Sequence, residues 1–171
     1  MFKLSKVRTS GIIQESIVDG IGLRYVVFFQ GCPHNCRGCQ NPQTHSFSGG
    51  IFVDIDKIIN DVVSNPLLDG ITLSGGEPLC YPRQCCIIAK EVRKYGKTVW
   101  VYSGYTFEEI MQHYHRSILM HNIDVLVDGP FIYEQRDLNL RFRGSTNQRI
   151  IDVQKSLAEN KVVLWSEDNG Y

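Results

Sequence analysis

The chain has no excess of charge: Lys plus Arg and Asp plus Glu each total 18 among 171 residues. A balanced surface creates no net field to draw in nucleic acid or an anionic membrane, so neither is expected as a partner. Long hydrophobic runs are missing too. Tyr25-Val26-Val27-Phe28-Phe29 is as long as any in the chain, whereas one membrane-spanning helix takes about 20 apolar residues. The basic start Met1-Phe2-Lys3-Leu4-Ser5-Lys6 leads into no apolar stretch of the kind a secretory leader uses. Repeats, low-complexity tracts and linkers are also absent, and residues 1–171 read as one domain, of a size that folds without disulfide staples. A cytoplasmic protein is expected, and its six cysteines should then be thiols that bind metal or do chemistry.

Three of those cysteines are clustered in Gly31-Cys32-Pro33-His34-Asn35-Cys36-Arg37-Gly38-Cys39. The CxxxCxxC spacing supplies three thiolates from one loop, one fewer than a closed four-coordinate site needs, so one position stays open for another ligand. Structural zinc sites usually take their ligands as two separated pairs, and here His34, His45 or a distant cysteine would have to complete the set. The longer ferredoxin run, with its fourth cysteine and a proline, is absent. Spacing alone leaves an open iron–sulfur cluster and zinc equally favoured.

Around this loop, strand-like runs alternate with helical patterns. Strands are predicted over residues 25–29, 70–74, 98–102 and 123–127, with later ones over 149–153 and 162–165. Helices are predicted over residues 54–63, with Ile55, Ile58, Ile59, Val62 and Val63 on one face, and over 82–95, with Cys85, Ile88, Ala89 and Val92 inward. Thr106 and Glu109 form a capping box opening a third helix, whose apolar face carries Phe107, Ile110, Met111 and Tyr114. This order predicts an α/β protein with βαβ units and a mostly parallel sheet. The chain is too short for an eight-stranded barrel of roughly 250 residues, and a partial, open (β/α) barrel is expected. Function then sits at the C-terminal ends of the strands. The cysteine loop and the segments 74–78, 102–104 and 128–130 all fall there.

Ser74-Gly75-Gly76-Glu77-Pro78 follows a predicted strand on that rim. Its glycines let backbone approach a ligand, and Glu77 offers an acceptor to a cation. No Gly-Lys-Ser/Thr follows, so it is not a phosphate loop. Asp19-Gly20-Ile21-Gly22-Leu23-Arg24 lacks the third glycine of a dinucleotide fingerprint and reads as a hairpin turn before the first strand.

The cysteine triplet after one apolar strand and Gly-Gly-Glu-Pro after the next resemble the radical S-adenosylmethionine superfamily. Within it, residues 19–24 and Val27-Phe28-Phe29-Gln30-Gly31-Cys32-Pro33 resemble the glycyl-radical activating enzymes. Tyr102-Ser103-Gly104-Tyr105-Thr106-Phe107-Glu108-Glu109, Asp124-Val125-Leu126-Val127-Asp128-Gly129-Pro130-Phe131 and Arg143-Gly144-Ser145-Thr146-Asn147-Gln148-Arg149 resemble the branch acting on anaerobic ribonucleotide reductase. The resemblance runs from about Ile12 to Val153. It implies that the barrel is of the superfamily's type and that Cys32, Cys36 and Cys39 hold three irons of a [4Fe–4S] cluster. The fourth iron would be chelated by S-adenosylmethionine, its amino end received by Gly75, Gly76 and Glu77, with Ser103 and Asp128 as further contacts. Reductive cleavage would give methionine and a 5′-deoxyadenosyl radical. The implied target is a backbone glycine of the reductase, and a low-potential electron donor is implied as a second partner. No acid–base pair is required, and none stands out.

One position departs from the superfamily pattern. Many members carry an aromatic residue just before the third cysteine, and here that position is Gly38, so the backbone of Gly38, Cys39 and Gln40 would have to meet the adenine. Other readings are an activase of pyruvate formate-lyase, a small-molecule radical enzyme, a zinc-stabilised interaction module and a plain electron carrier. Cys80, Cys85 and Cys86 are expected mainly as packing residues, as free cysteine commonly is. His113, His115 and His121 follow no metal spacing. Of the basic residues Arg136, Arg141, Arg143 and Arg149, Arg143 and Arg149 bracket a polar loop and are read as a docking surface or a hold on a carboxylate.

Overall fold

The computed structural model describes residues 5–167; residues 1–4, part of the stretch read above for a leader, lie outside them. Strand β1 (Lys6–Ser16) opens the fold. Its sequence gives little warning of a strand, because polar residues dominate and Gly11 interrupts it, with a register shift between Thr9 and Gly11. The chain turns through residues 17–23 and returns as β2 (Arg24–Phe29), antiparallel to β1. The turn read at residues 19–24 is therefore a hairpin turn, but it precedes the second strand. Strand β3 (Ile51–Asp54) pairs with the far side of β1.

From β2 onward the sheet is parallel: β4 (Gly70–Gly75), β5 (Thr98–Tyr102) and β6 (Val125–Asp128) follow side by side. These strands are buried on both faces and read as continuous apolar runs, as expected for strands covered on each side. Helices α1 (Ile55–Ser64) and α2 (Pro82–Arg93) carry crossovers, and the pair α3 (Phe107–Met111) and α4 (Tyr114–Met120) carries the third. Strand β7 (Arg149–Asp152) runs antiparallel to β6 and leads into α5 (Val153–Glu159). Among the described residues the sheet has seven strands in the order β3-β1-β2-β4-β5-β6-β7 and stays open at β3 and β7.

The α/β class and the open sheet agree with the sequence. The mostly parallel sheet does not: both flanks are antiparallel, making the sheet mixed. A hairpin or short return suffices for an antiparallel pair, whereas a parallel one needs a long crossover. Residues 162–165 form no strand, since only an isolated bridge joins Leu164 to Ile151. The expected long third helix breaks at Gln112 and His113, which leaves Tyr114 74% exposed instead of facing the core.

Alternation along the strands divides the sheet's two faces. Tyr25, Val27, Phe29, Leu73, Val99 and Val101 pack beneath the helices against Ile58, Val62, Ile88 and Val92. The opposite face carries Trp100, Val125 and Val127. Arg24 also lies there, fully buried, donating to Thr72 Oγ1 at 2.7 Å and to the carbonyl of Ile71 at 2.7 Å. Nearer the C-terminal ends of the strands, this second face opens into a cavity lined by Phe28, Ser74 and Tyr102. Among the described residues, no helix is long and apolar enough to cross a membrane.

Candidate metal centre and cofactor cavity

Strand β2 delivers the chain straight into the cysteine loop. Gly31, at φ 102°, turns it off the sheet. The loop is then tied to the next segment: Gly31 N donates to Thr44 O at 2.7 Å and Cys32 N to His45 O at 3.1 Å. A turn closes between Cys39 N and Cys36 O at 3.2 Å, with Asn35 and Gly38 in the left-handed region. Cys32, Cys36 and Cys39 are half-buried, and all three line one cavity of about 420 Å³. Burial pushes the Cys32 thiol up. Among the described residues, no three Cys, His, Asp or Glu side chains are grouped tightly enough to hold one metal ion. The three thiols line one hollow from a single loop, where a polynuclear group could take one sulfur on each of three irons.

The Gly75–Gly76 edge of β4 lines the same cavity beside the start of the cysteine loop. Gly75 has φ 94°, and a Cβ there would lie 2.5 Å from the Phe28 and Phe29 backbone. A Cβ on Gly76 would come within 2.4 Å of Gly31 O. Both glycines are thus required by the packing of β4 against the start of the cysteine loop, and their backbone also faces the cavity. Gln40, Ser103, Arg143 and His45 also line it. The Nε2 of His45 is buried without a hydrogen-bond partner. Aromatic walls come from Phe28, Phe131 and Phe142.

Two expected carboxylate contacts are corrected by their placement. Glu77 is fully buried and does not line the cavity. It accepts from Leu79 N at 2.9 Å, Ser103 Oγ at 3.0 Å, Gly104 N at 2.9 Å and His34 Nε2 at 2.7 Å. A carboxylate has about four acceptor positions, and here four protein donors fill them. Glu77 therefore clamps the cysteine loop, through His34, to the ends of β4 and β5, leaving no acceptor for a ligand. Asp128 is also buried outside the cavity lining. It accepts from Phe107 N at 2.8 Å, at the start of α3, and from Arg149 Nε at 3.0 Å. Arg149 does hold carboxylates, but they are Asp128 and Glu108 of its own chain. Of the pair bracketing the polar loop, only Arg143 reaches the cavity.

Gly38 does not line the cavity; a Cβ there would strike the Tyr133 ring at 2.4 Å. An aromatic ring from a distant loop thus covers the position where the sequence lacks one, with Arg37 and Arg136 guanidinium groups 5.1 Å and 4.3 Å from its centroid. Tyr133, Phe131 and Phe142 escaped sequence reasoning because they lie in an irregular segment with no periodicity. Phe131 carried the one usable signal, its place directly after the Asp-Gly-Pro turn ending β6. Cys85 is fully buried, as expected for packing, while Cys80 and Cys86 are half-buried.

Residues 18–151 match the family described as a 4Fe-4S single cluster domain. A protein of Haemophilus influenzae named anaerobic ribonucleoside-triphosphate reductase-activating protein is 39% identical over 143 residues, covering 78% of this chain and 90% of that one. A protein of Escherichia coli K12 with the same name is 37% identical over 143 residues, covering 77% and 90%. One of the same name from bacteriophage T4 is 33% identical over 142 residues, covering 78% and 86%.

Proposed function

The chain belongs to the family of anaerobic ribonucleoside-triphosphate reductase-activating proteins, built on a 4Fe-4S single cluster domain, and on that premise we propose that it installs a glycyl radical on such a reductase, using a [4Fe–4S] cluster and S-adenosylmethionine. The observation that carries the residue assignment is that Cys32, Cys36 and Cys39 line one cavity together with the bare backbone of Gly75 and Gly76. When bound, the cluster would pass one electron to S-adenosylmethionine and so supply the carbon radical that takes a hydrogen atom from the partner's glycine.

The three thiols are the protein ligands in this reading, leaving one metal position for the amino and carboxylate groups of S-adenosylmethionine. Gly75 and Gly76 receive the amino end with backbone carbonyls, since Glu77 is fully engaged. Gln40, Ser103 and Arg143 offer polar contacts along the wall, and the backbone near Cys39 meets the adenine. Phe28, Phe131 and Phe142 keep water and stray hydrogen donors from the reacting carbon. The fold is the superfamily's partial barrel in this reading, which the open seven-stranded sheet and the cavity at its C-terminal edge support. An open barrel has a mouth wide enough for a glycine-bearing loop of a protein. The partner is the triphosphate reductase that the relatives' names give, in the cytoplasm, served by a low-potential electron donor.

Electron paramagnetic resonance on the anaerobically reduced protein, mixed with S-adenosylmethionine and the reductase, tests this. A glycyl doublet on the reductase is expected. Cofactor cleavage without that doublet removes the reductase as substrate, and a colourless protein that binds zinc instead of iron removes the radical chemistry.

A further inference from the structure

One electron must enter per turnover, and in the proposed reaction the cavity mouth is taken by the glycine-bearing loop. The electron therefore has to arrive over another face of the cysteine loop. His34, between Cys32 and Cys36, packs its ring against Tyr105, with centroids 4.4 Å apart and edge-on. The Arg116 guanidinium lies 3.9 Å above the centroid of the Tyr105 ring, and Arg116 Nε donates to Leu79 O at 3.2 Å. Neither Tyr105 nor Arg116 lines the cavity. From Arg116 the surface continues to His115, whose Nε2 is 3.4 Å from Arg83 Nη2. Beyond them a hollow of about 270 Å³ between α2 and α4 is lined by Cys86, Ile87, Ile118 and Lys90.

This face is cationic in a chain of zero formal net charge. Arg83, Lys90 and Arg116 have no carboxylate partner among the described residues, whereas Lys57, Arg93, Lys94 and Lys155 on the helices each pair with one. Helix α4 contains no acidic residue. The one in α2, Glu91, is held by Lys94; Glu109 of α3, capped by Thr106, keeps its negative charge and is outnumbered by the three cations. Two exposed apolar side chains, Ile87 and Ile118, sit inside this rim of cations. A small apolar centre with a charged rim suits a weak, fast-dissociating complex steered by opposite charge.

We propose that the α2–α4 face is the docking surface for an acidic flavoprotein that donates one electron at low potential. The proposal rests on the function assigned above. The donor loses one electron at the Arg116–Tyr105–His34 side of the cysteine loop. S-adenosylmethionine gains that electron as its carbon–sulfur bond breaks, and no proton moves. Cations without carboxylate partners, a position outside the cavity lining and the aromatic contact to His34 all select this surface.

The test uses the cluster-loaded protein, an acidic flavodoxin as probe, and the exposed double variant Arg83→Glu/Lys90→Glu. Binding of flavodoxin is followed by flavin fluorescence from roughly 50 to 300 mM salt, over which the Debye length shortens markedly. S-adenosylmethionine cleavage is driven in parallel by reduced flavodoxin or by titanium(III) citrate. The variant is expected to bind flavodoxin at least about tenfold more weakly and to lose most of the salt dependence. Its flavodoxin-driven rate should fall in parallel while its titanium-driven rate stays at the wild-type level. A variant with unchanged affinity and salt dependence overturns the docking surface. Wild-type protein that cannot cleave the cofactor with titanium(III) citrate overturns the assigned reaction instead, and the affinity comparison still decides the surface.

Discussion

Cys85 lies fully enclosed on the inward face of α2, where burial holds its thiol well above the usual range, and burial pushes Cys80 up to about 11. Only the thiolate is a good nucleophile, so at pH 8 roughly a thousandth of Cys80 is reactive. In the metal-free protein at that pH, iodoacetamide is expected to label Cys80 and Cys85 far more slowly than Cys36; equal labelling by mass spectrometry would contradict this environment. Replacing Cys36 by Ala removes one of three thiols around the cavity and is expected to abolish cluster retention while leaving the far-ultraviolet circular dichroism intact. Iron and sulfide analysis after anaerobic reconstitution checks it. Glu77→Ala leaves His34, Ser103, Gly104 N and Leu79 N facing an empty buried site. Breaking such a network costs about 3–5 kcal/mol, to be read from denaturant unfolding of the metal-free protein. A loss below about 1 kcal/mol, the scale of a surface pair, would show that the clamp does not hold.

At the scale of elements, local chemistry fixed those parts of the fold whose causes lie within a few residues. The Thr106–Glu109 capping box is present in both directions, Thr106 Oγ1 accepting from Glu109 N and the Glu109 carboxylate from Thr106 N. Thr106→Ala is expected to cost about 1 kcal/mol in thermal unfolding, without changing iron content. Elements whose causes lie elsewhere in the chain were not legible. Strand β1 has no clean alternation, and only its pairing with both β2 and β3 makes it extended. The break between α3 and α4 likewise has no Pro or Gly to mark it. Residues 162–165 look like a strand by composition, but β7 offers them a single bridge.

For the molecule as a whole, the sheet and helices bury a continuous core from Val7 to Val153 that owes nothing to the cysteine loop. Removing the metal group with a chelator should therefore loosen the loop without unfolding the protein, unlike a small zinc module that is unstructured without its ion. Cooperative thermal unfolding of the metal-free chain is the expected outcome, and a flat melting curve would refute it. The sequence by itself determined the α/β class, the buried parallel strands and the thiol triplet, because periodicity and ligand spacing are local properties of the chain. Only the tertiary structure decided what the carboxylates do. A sequence shows that Glu77 and Asp128 end strands on the functional edge, but the competition for their lone pairs is settled by His34, Ser103, Phe107 and Arg149, brought in from distant segments. Hydrogen bonding saturates, and which donors reach a buried carboxylate first depends on the folded arrangement of all of them.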